Sequence, residues 1–274
     1  MPEFRTSDNL RLWYEDQGDG QPLLCLSGLT RNSTDFDYVL PYLLGEHRVI
    51  RLDYRGRGKS QRAPDWKTYT IPTEARDVLE LLDELGLAQA PIIGTSRGGL
   101  IGMALAMLAK DRLGGLCLVD IGPELAAEGL DVIKDYVGLN PSAKTYEEAA
   151  LERATLMAGF DNVPAERWRD EVHHHYRETD NGLVINYDAR LRDAVLDGGT
   201  QPMADLWPLF DALEGLPLAC IRGANSDLLT PETLAEMARR RPDMIVAEVP
   251  GRGHVPFLDE PEALEALNEW TMLL

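Results

Sequence analysis

A chain of 274 residues, 44% hydrophobic and 27% charged, has the composition of an ordinary globular protein and is long enough to bury a sizeable core. Its 46 acidic against 27 basic residues leave a net charge of -19, which repels phosphate backbones and anionic lipid surfaces and argues against nucleic acid or a membrane as partner. The N-terminal stretch carries Glu3 and Asp8 without a continuous apolar run, and the longest apolar stretch, Leu100 to Ala109, is too short to cross a bilayer, so the cytoplasm is the expected location.

In chain order, alternating polarity from Phe4 to Glu15 around Ser7-Asp8-Asn9 predicts an antiparallel hairpin at a sheet edge. Short apolar runs follow at Pro22 to Leu26, Arg48 to Leu52, Ala90 to Thr95 and Leu116 to Asp120, and again at Leu216 to Arg222 and Met244 to Glu248. Runs of this kind separated by helix-period segments, such as Thr73 to Leu85, predict a mostly parallel, doubly wound α/β sheet. The alternation stops between Gly122 and about Asp205, where only helix-like stretches such as Thr145 to Met157 and Ala165 to His175 are found. We read 1–122 and 206–274 as the core domain and 123–205 as a helical cap over the C-terminal ends of the strands. Cys25, Cys117 and Cys220 each sit inside a strand-like run, as reduced packing thiols do.

Gly94-Thr95-Ser96-Arg97-Gly98 joins a predicted strand to a predicted helix and matches G-x-S-x-G, a sharp turn that presents a serine nucleophile. A serine hydroxyl needs a base to take its proton. Of the chain's five histidines, only His254 falls in a glycine-rich loop between the last strand and the last helix, at the sheet edge expected for Ser96. The carboxylate that orients the base is expected between Ser and His in chain order, at a strand end. Asp227, after the penultimate strand, is favoured, and Asp120 is its rival. The expected oxyanion donors are the backbone N–H groups of Arg97, next to the nucleophile, and Leu29, after the Gly28 turn.

Taken together, Ser27-Gly28-Leu29, Asp53-Tyr-Arg-Gly-Arg-Gly-Lys-Ser60, the Gly94 to Gly98 turn, Ser226-Asp227 and Gly253-His254 resemble the α/β-hydrolase superfamily over nearly the whole chain. The resemblance implies an eight-stranded sheet with a helical cap and a Ser-His-Asp hydrolase. It also argues against haloalkane dehalogenases and epoxide hydrolases, which use Asp where this chain has Ser96. Many members carry His-Gly where this chain has Ser27-Gly28, so Ser27 is expected to alter pocket polarity.

The expected activity is hydrolysis of a small carboxylic ester through an acyl-enzyme, with no cofactor and no metal. Carbon-carbon bond or lactone hydrolysis by the same triad, and a non-catalytic receptor on the same fold, are the alternatives. His173-His174-His175 lie about 100° apart on a helix and cannot converge on one ion. Arg31 reads as a solvent-facing loop residue sooner than a carboxylate binder, and Asp53 to Ser60 lacks phosphate-loop spacing and reads as a structural turn.

Overall fold

The computed structural model of the chain describes residues 2–198 and 204–274. The N-terminal hairpin is β1 (Glu3–Arg5) and β2 (Arg11–Gln17), followed by β3 (Gln21–Leu26), the short α1 (Leu40–Leu43) and β4 (His47–Leu52). Then come α2 (Ile71–Glu84), β5 (Ala90–Thr95), α3 (Arg97–Leu108) and β6 (Leu113–Val119). Next are α4 (Ala127–Tyr136), α5 (Tyr146–Leu156), α6 (Ala165–His175), a hairpin of β7 (Tyr176–Thr179) and β8 (Gly182–Ile185), and α7 (Leu191–Gly198). The chain finishes with α8 (Trp207–Asp211), β9 (Leu218–Gly223), α9 (Pro231–Arg240), β10 (Ile245–Val249) and α10 (Pro261–Thr271).

Eight strands form one sheet in the order β1-β2-β4-β3-β5-β6-β9-β10. The β1–β2 and β2–β4 pairs are antiparallel and the remaining pairs parallel. The central strands are buried on both faces because alternate side chains feed two cores. Leu24, Leu26, Ile92, Leu116 and Leu118 pack on one side with α2 and α3 residues such as Val78, Leu81 and Ile101. Leu23, Cys25, Ile93, Cys117 and Val119 pack on the other with Ala263, Leu267 and Trp270 of α10. All three cysteines are free and buried, and loss of solvent pushes the Cys25 thiol up to about 12, which leaves it un-ionised and inert.

The stretch that interrupts the alternation differs from expectation at one element, the β7–β8 hairpin. Leu183 and Ile185 are buried there, at 4% and 6% exposure. The positions of 199–203, at the C-terminal edge of the predicted cap, lie outside the described residues. Backbone hydrogen bonds stitch the segment to the turn after β4: Gly58 N–H donates to Asn186 O (3.1 Å) and Asp188 N–H to Gly56 O (2.7 Å). A small aromatic core forms where it meets the sheet domain. There Trp168 and Phe160 pack on Phe257, and the Arg167 guanidinium lies 3.7 Å from the Tyr38 ring centroid.

The Asp53 to Ser60 stretch is a structural turn. The buried Asp53 carboxylate accepts from Ser33 N–H (2.7 Å) and Lys59 N–H (2.8 Å) and so ties the loops after β3 and β4 together. Both oxygens are consumed within the fold.

Candidate active site

β3 and β5 are neighbours, yet the chain leaves β3 toward β4 on one side while β5 continues toward β6 on the other. Such a switch point opens a crevice at the strands' C-terminal ends. Gly28 follows β3 and Ser96 follows β5, and a Cβ built on Gly28 would lie 3.8 Å from the Ser96 Cβ.

Ser96 sits at φ 48°, ψ -110°, a conformation that L side chains rarely adopt. Its two flanking glycines are sterically required. A Cβ on Gly94 would stand 2.6 Å from Gly99 N, and one on Gly98 would stand 2.1 Å from Leu26 O. The hydroxyl is thereby held at the N-terminus of α3, the positive end of the helix dipole. Arg97 is the first residue of α3, whose N–H has no partner within a helix. Among the described residues neither its N–H nor that of Leu29 has a hydrogen-bond partner. Both residues that the sequence singles out therefore carry an unoccupied donor beside the Ser96 turn.

His254 leaves the loop after β10 and reaches Ser96, with Nε2 3.1 Å from Oγ. Its Nδ1 lies 2.6 Å from Oδ2 of Asp120. A carboxylate only accepts, so Nδ1 carries the proton and donates to Asp120, while Nε2 is free to accept from the Ser96 hydroxyl.

The carboxylate on His254 is thus Asp120, and the expectation of Asp227 in that place is corrected by the geometry. Asp120 is fully buried at the end of β6, the strand beside β5. Its Oδ1 accepts from Gly223 N–H (2.8 Å) and its Oδ2 also accepts from Ser226 Oγ–H (2.6 Å). The β9 loop therefore contributes Ser226, not Asp227, to the His254 site. The Ser226 hydroxyl also accepts from Leu228 N–H (3.2 Å) and Leu229 N–H (3.1 Å), a turn that leaves the Asp227 side chain exposed at the rim of the cavity. Sequence reasoning gave Ser226 no role, although its place before Asp227 in a strand-end loop was visible.

These groups open into a cavity of about 620 Å³ whose lining includes Leu29, Ser96 and His254 from the sheet domain and Val132, Tyr136 and Leu156 from α4 and α5. Ser27 is fully buried and outside that lining, so it does not set pocket polarity as expected. Arg31 does line the cavity but is not solvent-facing: it is ion-paired to Asp35 and stands 3.8 Å from Glu171.

The three consecutive histidines diverge. His173 stacks on Tyr146 at 3.9 Å between ring centroids, and His174 faces Tyr38 at 5.6 Å. His175 accepts at Nε2 from an Arg153 guanidinium N–H, 2.9 Å away, and lines the cavity. Burial, with the guanidiniums of Arg153 and Arg31 nearby, pushes the His175 imidazole down to about 3.

Below about pH 6.5 the unfolded chain binds a proton at His175 that the native protein refuses until near pH 3, so stability present above that range falls with pH. In urea titrations across pH 6.5 to 5.5, above the range of ordinary carboxylates, His175→Gln is expected to flatten the decline by up to about 1.4 kcal/mol per pH unit. Parallel curves for the two proteins would contradict it.

A family model described as the alpha/beta hydrolase family matches residues 23–267. The chain belongs to the α/β-hydrolase family. This hydrolase is 38% identical over 263 residues to a 3-hydroxybutyrate-oligomer hydrolase of Cupriavidus necator, covering 92% of this chain and 89% of the relative. It is 27% identical to a 2-(acetamidomethylene)succinate hydrolase of Mesorhizobium japonicum over 262 residues, or 95% and 91% of the two chains. A crystal structure of an α/β-hydrolase from Novosphingobium aromaticivorans superposes with a TM-score of 0.92 at 35% identity, covering 99% of this chain and 97% of that one. The α/β-hydrolase described here is therefore a hydrolytic enzyme. Among its described residues no helix is long and apolar enough to cross a membrane.

Proposed function

We propose that this hydrolase cleaves a short aliphatic carboxylic ester through a Ser96 acyl-enzyme, with His254 as base and Asp120 as the carboxylate that orients it. The carrying observation is the unbroken hydrogen-bond chain from Ser96 Oγ through His254 to Asp120, opening into the cavity. In the first step Ser96 Oγ forms a bond to the ester carbonyl carbon while its proton passes to His254 Nε2. The resulting oxyanion is met by the Leu29 and Arg97 N–H groups. Collapse breaks the carbon–oxygen bond to the alcohol, which leaves with the proton held on His254. A water molecule then repeats the sequence on the acyl-enzyme, returning Ser96 and releasing the acid.

Hydroxyacid oligoesters are the substrate class we favour, because the relative at 38% identity is named for an oligomer of 3-hydroxybutyrate. The segment 123–205 acts in this reading as a cap that shapes the substrate end of the cavity, through α4 and α5.

Incubation with a fluorophosphonate followed by peptide mass spectrometry tests the nucleophile. The adduct is expected on the peptide containing Ser96, with rapid release of nitrophenol when p-nitrophenyl butyrate replaces the probe. An unmodified Ser96 peptide in a folded protein would sink the acyl-enzyme reading. Faster turnover of a vinylogous diketone than of any ester would move the reaction to carbon-carbon bond cleavage.

A further inference from the structure

One wall of the cavity at Ser96 carries a row of apolar side chains that face water. Val132 and Tyr136, four residues apart on one face of α4, line it with Leu139 just beyond that helix and with Leu156, the last residue of α5. All four are exposed, Leu156 at 76%. Both helices are held beside Ser96 and His254. Ala126 N–H, at the start of α4, donates to Leu228 O (3.0 Å), and a Cβ on Gly129 would stand 2.8 Å from Asp227 O, so α4 begins against the loop after β9. Past the end of α5, Ala158 O lies 2.6 Å from where a Cβ on Gly253 would be, next to His254. The apolar row is thus continuous with the place where the ester meets its nucleophile.

Apolar side chains clustered in water mark the place of an apolar partner. Size narrows the choice: at about 620 Å³ the cavity falls in the range that encloses a drug-sized ligand, well beyond one short ester group. Charge narrows it again. The two guanidiniums of the lining already face carboxylates, Arg31 those of Asp35 and Glu171, and Arg153 that of Glu171. The lining carboxylates Asp135, Glu152 and Asp227 have no ion-pair partner among the described residues. The cavity therefore carries an excess of negative charge, and an anionic segment would enter against it.

We propose that Val132, Tyr136, Leu139 and Leu156 form a subsite for an uncharged aliphatic stretch of an oligoester chain, extending from the linkage that is cleaved at Ser96. This deepens the function proposed above and rests on it: each linkage is a short aliphatic ester, but the chain that carries it spans several units. A chain of that length keeps its terminal carboxylate in water, outside the cavity, while the units nearer the linkage cover the apolar row.

The test measures kcat/KM for the linear dimer, trimer and tetramer of 3-hydroxybutyrate, each with a free acid or a carboxamide terminus. In the amide series wild type is expected to gain about tenfold or more from dimer to tetramer, above what three linkages in place of one supply by number. The dimer amide should be turned over faster than the dimer acid, a gap that narrows with chain length and with added salt. Val132→Ser and Leu156→Ser together should reduce the gain to the factor set by the number of linkages, chiefly through KM. Leu151→Ser, on α5 at 65% exposure but outside the lining, should keep the wild-type gain, and near-ultraviolet circular dichroism reports folding of each variant. Calorimetry of the uncleaved amides on Ser96→Ala should show binding that tightens with length whichever residue is the nucleophile, so this inference and the acyl-enzyme reading fail separately. A wild-type gain no larger than the number of linkages, a gain that survives the double substitution, or a preference for the dimer acid overturns the proposal. A two-chain assembly in sedimentation that dissociates on the double substitution would give the apolar row to a second copy and overturn it as well.

Discussion

Replacing Asp120 with asparagine is expected to lower kcat by about 10⁴-fold, the scale seen when an orienting carboxylate is lost, while Asp227→Asn leaves turnover on the wild-type scale. The reason lies in which atoms face Asp120. Gly223 N–H can only donate, so it holds the asparagine carbonyl at the Oδ1 position and forces the amide NH₂ into the place of Oδ2. There it meets His254 Nδ1, which must give up its proton and accept. Nε2 then carries the proton and can no longer take one from Ser96. The substitution is nearly isosteric, so the fold survives and the loss appears in the acylation rate measured by stopped flow. Asp227 is exposed and touches neither ring nitrogen, so its neutralisation changes only the field at the cavity rim. A large loss in Asp227→Asn with little in Asp120→Asn would return the orienting role to Asp227.

The same pair of aspartates shows where sequence reasoning ends. Ser96 and His254 are encoded locally, the first by glycines that steric contact requires and the second by a loop placed at the only available strand end. The choice between Asp120 and Asp227 is non-local: both follow strands, and it is Gly223 N–H and the Ser226 hydroxyl that draw Asp120 toward His254. The strands of the parallel sheet were legible because burial on both faces leaves continuous apolar runs. The β7–β8 hairpin was not, since its strands are four residues each and half exposed, so no run or clean alternation forms. Arg153 reads as one more polar residue on a helix until His175, 22 positions later, is brought beside it.

Glu74 carries the second large effect. It lies in the first turn of α2, fully buried, where the helix dipole favours an anion. One oxygen takes Arg57 Nη1 at 2.8 Å and the other takes Arg97 Nε at 2.6 Å. Burial alone would push the Glu74 carboxyl up, but the two guanidiniums more than offset this and hold it below its ordinary value. Arg57 in turn donates through Nε to Leu29 O at 3.0 Å. One carboxylate therefore braces both residues whose N–H groups are proposed to hold the oxyanion. Glu74→Ala leaves two guanidiniums without their anion, Arg57 being only 1% exposed, and is expected to cost about 3–5 kcal/mol, lowering Tm by roughly 6–20 °C. Glu74→Gln retains the shape and one acceptor, so it separates bracing from folding. At a temperature where it is fully native, its kcat is expected to fall by about tenfold or more with KM little changed, short of the 10²–10³ lost when an oxyanion donor is deleted outright. An unaltered kcat in native Glu74→Gln would confine Glu74 to stability and detach it from the chemistry at Ser96.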